Sequence, residues 1–263
     1  MIAQFALRLI CGMSLLWAVM PRRQVTSGFF RIQMLVVMGL GVLATLLGDA
    51  EPIPSRWLSR EIVQIVCGIV AFAAFVGSVA WTLERRRLGT WIGGLVLASS
   101  AGVIVLQSLS KKHPLQDVSW FFSLSELTAS AVLGGTVVGM LLGHWYLTAP
   151  TMSIEPLNVV NKVLGMAGVA RLLVSTTAIC LVWNGALDPS HGTEAMARIP
   201  GLWLSLRWLA GVIGPLVASL MVWQILKYRN TQAATGVLFV GVILAFIGDM
   251  LAALLLRETG LPL

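Results

Sequence analysis

Apolar residues in this chain fall into eight long, nearly unbroken runs, near residues 2–20, 29–48, 62–83, 90–109, 128–148, 160–184, 202–225 and 234–256. An α-helix needs about 20 such residues to cross the hydrocarbon core of a bilayer. The runs are continuous and lack the in–out alternation of barrel strands, so they read as helices. The expected fold is all-α: a polytopic transmembrane bundle of about eight helices, a single transmembrane domain over residues 1–263.

Proline and tryptophan punctuate the same runs. Pro21, Pro52, Pro54, Pro114, Pro150, Pro156, Pro189, Pro200 and Pro262 all fall outside them, as expected of a residue that breaks helical hydrogen bonding. Pro215 alone lies inside, and Gly214-Pro215 predicts a kink in the seventh helix, serving either packing or a binding-site break. Trp17, Trp81, Trp91, Trp145, Trp183, Trp203 and Trp223 lie near run ends. They are expected in the aromatic belt at the lipid–water interface rather than around a ligand.

Composition agrees with this reading. Hydrophobic residues make up 57% of the chain and charged residues 11%, against roughly 25% charged in a soluble domain. So few charges cannot cover a water-facing surface. The net charge of +7 sits in short clusters between apolar runs, which suits an anionic leaflet and excludes nucleic acid as a partner. Cys11, Cys67 and Cys180 lie singly in apolar runs and imply neither a disulfide framework nor a redox pair. The first run reads as an uncleaved helix. Arg8 interrupts it, no small-residue cleavage motif precedes Pro21, and Arg22 and Arg23 follow it.

Basic residues set the expected orientation. Arg22, Arg23, Arg85, Arg86, Arg87, Lys162, Lys227 and Arg229 follow the odd-numbered helices. The positive-inside rule then places both termini outside the cytoplasm, in what reads as a bacterial cytoplasmic (inner) membrane. Residues 110–127, with Lys111, Lys112, Trp120, Phe121 and Phe122, read as an interfacial segment joining candidate halves 1–109 and 128–263. Residues 185–201 read as a polar loop. Trp81, Arg85, Arg87 and Gly94 recur at one offset as Trp223, Lys227, Arg229 and Gly236. That suggests a parallel repeat of four helices plus four.

Few residues carry candidate chemistry. Gly135, Gly139 and Gly143 form a groove along helix five that admits another helix closely. His144, Trp145 and Tyr146 follow at the helix end. They suit either a quinone headgroup or interhelical hydrogen bonds, and no second histidine matches them for haem. Arg171 is the clearest charge within the membrane, on one face with Asn161, Gly165, Gly168 and Ser175. Arg207 and Asp249 come out at similar depth, roughly 22 Å from the inner end at 1.5 Å per residue, and are the preferred ion pair. Arg8 and Asp49 form a second candidate pair. Phosphate-loop, zinc-protease and nucleophile-elbow motifs are absent. No metal or catalytic residue is proposed.

Two functional classes remain. One is a non-enzymatic membrane subunit or accessory protein of a larger complex, with other membrane subunits as partners and a quinone near His144. In helix number alone the chain resembles the membrane anchors of some quinol-linked oxidoreductases. The other is a small-solute or ion transporter with its path near Arg171 and Gly214-Pro215. A polar, water-accessible cavity between the halves at those residues favours transport; a sealed interior with an exposed apolar groove favours the subunit.

Overall fold

The computed structural model describes residues 1–48, 59–110, 119–149, 151–183 and 201–259. These contain eight helices long and apolar enough to cross a membrane. They are α1 (Ile2–Val19), α2 (Ser27–Leu47), α3 (Arg60–Thr82), α4 (Arg86–Ser110), α5 (Ser119–Thr148), α6 (Glu155–Trp183), α7 (Gly201–Lys227) and α8 (Thr231–Thr259). The protein is an integral membrane, all-α helical bundle.

Local chemistry explains several helix ends. The Ser59 hydroxyl accepts from Ile62 N at the start of α3, and Asn230 Oδ1 accepts from Ala233 N at the start of α8. Each satisfies a backbone donor that the first turn leaves unpaired. Pro156, expected outside the spans, lies in the first turn of α6, where a missing N–H costs no intrahelical bond. Residues 119–127, expected to lie in the interface, are instead the first turns of α5. Phe121 and Phe122 are buried there and Trp120 is exposed. Helix α5 therefore takes in Ser119 onward, and residues 111–118 lie outside the described residues. So does most of the 185–201 loop.

The helices close into two rings. In the first, α1 packs on α2 and α4, and α3 on α2 and α4. In the second, α5 packs on α6 and α8, and α7 on α6 and α8. The rings meet chiefly along α1 and α5. At their crossing, a Cβ on Gly12 would lie 1.8 Å from Ser130 O, and one on Gly134 would lie 2.0 Å from the Gly12 carbonyl carbon. Only glycine lets two backbones approach so closely. Outward faces are apolar, as at Phe72 and Leu46 (both 69% exposed), and suit lipid contact.

The wiring repeats from ring to ring, and so does local geometry. α2 and α6 begin 128 positions apart (155 − 27). α4 and α8 begin 145 apart (231 − 86). The turns before α4 and α8 each carry one non-glycine residue with positive φ, Glu84 at 54° and Arg229 at 55°, again 145 apart (229 − 84). The sequence identities align Trp81 with Trp223, 142 apart (223 − 81). That register is three residues out. Basic residues and tryptophan suit any helix end, whereas a left-handed backbone position marks one point in the turn.

The aromatic belt holds only in part. Trp91 and Trp223 are exposed and Trp203 is marginally so, but Trp17 and Trp81 are buried inside the first ring. Trp81 stacks on Phe30 with centroids 4.4 Å apart. The side chain of Trp183 is outside the described set.

Candidate functional site

Three arginines and two acids meet inside the bundle. They come from five helices: Arg8 on α1, Glu126 on α5, Arg171 on α6, Arg207 on α7 and Asp249 on α8. All are 2–9% exposed. Helix geometry builds the cluster. The apolar faces of α1 and α5 press together at Gly12 and Gly134, bringing Arg8 opposite Glu126. The edge-to-face contact of Phe5 with Phe246, centroids 4.9 Å apart, ties α1 to α8 one turn from Asp249.

Arg8 is the hub. Its Nε donates to Glu126 Oε2 and its Nη2 to Glu126 Oε1, both at 2.6 Å. Its Nη1 donates to both oxygens of Asp249, at 2.9 and 3.0 Å. Gln4 Nε2 adds a third donor to Glu126, at 3.0 Å. One planar guanidinium thus bridges two carboxylates with charge-assisted bonds. Asp249, expected to pair with Arg207, takes its described hydrogen bonds from Arg8. Depth arithmetic placed Arg207 and Asp249 level, but both Asp249 oxygens face Arg8. The other expected mate of Arg8, Asp49, lies outside the described residues; the carboxylates that Arg8 binds are Glu126 and Asp249.

Glu126 was missed because the polar stretch before it looked interfacial. A helix extended back by two turns was the needed signal, and Ser-Leu-Ser-Glu-Leu does not announce one.

Arg171 and Arg207 lie on the far side of this bridge. Arg171 Nη1 donates to Ser125 O at 2.9 Å and to Ser125 Oγ at 2.7 Å. Its described hydrogen-bond partner is therefore neutral. Arg171, Arg207 and Asp249 line one pocket, with Gly211 beside them. The rest of the lining is apolar, from Ala129, Val132 and Leu133 of α5 and Ala245 of α8. The opening encloses about 230 Å³ free of atoms, counting its mouth. Its enclosed part has room for about one water molecule.

α7 is irregular at this level. Leu209–Ile213 form a π-helical segment, and α-helix resumes at Gly214-Pro215. The break thus precedes the proline, which cannot supply an N–H to the turn before it. Gly211 lies in this segment, and a Cβ there would lie 2.1 Å from Arg207 Nη1 and 2.8 Å from Gly248 Cα. Glycine at 211 and 248 lets α7 and α8 touch beside the charges.

The remaining sequence-derived residues sit elsewhere. On the Arg171 face of α6, Asn161 donates to Ser219 O at 3.0 Å. Gly165 lies against Ser219 and Gly168 against Leu216, both on α7, and Ser175 is buried. The α5 groove takes partners within the chain: Gly135 meets Leu164, Gly139 meets Leu238 and Val160, and Gly143 meets Thr235. His144 is exposed. Trp145 Nε1 donates to Thr26 Oγ1 at 2.8 Å, and the Tyr146 hydroxyl donates to Ser153 O. Both rings tie helix ends to turns.

No family model, curated protein or solved structure matches this chain.

Proposed function

We propose that this integral membrane protein is a small-solute transporter whose substrate site is the charged pocket inside the α5–α8 ring. The observation that carries this reading is the pocket itself. It joins Arg171, Arg207 and Asp249 to an apolar wall, beside a π-helical break and two helix-contact glycines. Charges within a membrane are costly and mark substrate or ion pathways. Packing alone does not call for five of them on five helices, since buried ion pairs contribute little net stability over apolar contacts. Broken helices at substrate sites are a transporter feature. The positive-inside pattern supports a bacterial cytoplasmic membrane with both termini outside the cytoplasm.

The test is solute entry into proteoliposomes after an osmotic upshift, with and without an imposed proton gradient. Wild-type vesicles should recover volume faster than empty ones for at least one solute, and Arg171→Gln should abolish the difference. Wild-type vesicles indistinguishable from empty ones under every condition would refute the reading. A stoichiometric protein partner retained through mild-detergent purification would favour the accessory-subunit function instead.

A further inference from the structure

We infer that the pocket selects a monatomic monovalent anion, a halide, with Arg171 as its principal ligand; this rests on the pocket being the substrate site.

Charge comes first. Every oxygen of Glu126 and Asp249 accepts from Arg8, so the bridge on the α1 side already holds both acids. Arg171 faces the pocket with its described hydrogen bonds on neutral Ser125. A cation entering the pocket meets two guanidiniums. Three guanidiniums share two carboxylates in this cluster, so a neutral solute leaves its five charged groups with a net positive charge. An anion compensates it at an effective dielectric of about 20, where the attraction is roughly four times that in water. Asp249 also lines the pocket, and its charge is already opposed by Arg8 Nη1 at 2.9 Å.

Size comes second. Room for about one water molecule excludes sugars, nucleotides and multi-carbon acids. Phosphate and sulfate are disfavoured by volume, each carrying five heavy atoms. A single-atom halide comes nearest to both limits, whereas nitrate and formate, with four and three heavy atoms, exceed the space of one water; the planar guanidinium edge presents paired donors to an anion.

The experiment measures thermal unfolding of the detergent-purified protein in sodium chloride or bromide, with nitrate and formate as larger monovalent anions. Sodium gluconate at equal ionic strength is the reference, with sodium sulfate for comparison. An anion at one hundred times its Kd should shift the unfolding equilibrium about a hundred-fold, raising Tm above the gluconate value. Two variants separate charge from space. Arg171→Gln removes the ligand, and Ala129→Val fills the apolar wall while keeping every charge. Both should lose the anion-dependent shift while retaining a symmetrical gel-filtration peak. Wild-type protein with equal Tm in all salts overturns the inference, as does a preference for sulfate or a folded variant that still responds. Vesicles that transport a sugar or cation regardless of the anion present leave the transporter reading intact and overturn this one. Anion-dependent stabilisation without flux does the reverse.

Discussion

Removing the hub of the buried network tests whether the five charges act as one unit. Arg8→Met deletes the guanidinium but keeps a flexible apolar side chain in its place. The structure shows what is lost: two bonds of 2.6 Å to Glu126 and one Nη1 shared by the Asp249 oxygens at 2.9 and 3.0 Å. Two carboxylates, 9% and 6% exposed, then lose their strongest donor. Leaving one charge of a buried pair behind typically costs about 3–5 kcal/mol. Two acids are affected here, but Arg171 and Arg207 lie in the same cluster and offset part of the loss. A net destabilisation of about 3–5 kcal/mol is therefore expected. The assay is reversible unfolding in mixed dodecyl maltoside and dodecyl sulfate micelles. Asp249→Asn alone should also destabilise, and Arg8→Met with Asp249→Asn should cost at least about 2 kcal/mol less than the two single losses together. The parallel cycle with Arg207→Met and Asp249→Asn should show smaller coupling, because both Asp249 oxygens are engaged by Arg8. Losses additive to within about 0.5 kcal/mol in the Arg8 cycle would refute the bridge.

Other outcomes follow from the same geometry. Gly12→Ala should cost about 3 kcal/mol or more, because its Cβ would meet the Ser130 backbone at 1.8 Å and backbone cannot turn aside as a side chain can. Gly94→Ala, with nothing within 4 Å of its Cβ, should be neutral or gain up to about 1 kcal/mol in the same unfolding assay. Trp145→Phe should lower stability by about 1 kcal/mol through the lost bond to Thr26. Trp81→Phe forfeits no hydrogen bond among the described residues, where the indole nitrogen has none, so its loss should track ring volume alone. Arg86→Cys, at the first residue of α4, should react with an impermeant maleimide in inside-out vesicles and stay unlabelled in intact cells; labelling from outside would reverse the orientation.

The sequence by itself determined the solvent and the spans. A chain with 57% hydrophobic and 11% charged residues must satisfy its backbone within helices when lipid surrounds it, and that requirement is local. Run length, proline and glycine spacing therefore located seven spans to within a few residues and the small-residue face of α6. The eighth, α5, begins nine residues before the apolar run because buried serines and Glu126 face the bundle and not lipid.

Tertiary structure alone chose the charge partners. Arg8 and Asp249 are 241 positions apart, and no periodicity links them. Their meeting depends on how α1 turns toward α5 and α8, which the Gly12–Gly134 crossing and the Phe5–Phe246 contact set together. Depth along a helix can be counted from sequence, but rotation about its axis is decided by packing. For a buried guanidinium, rotation determines which carboxylate it meets.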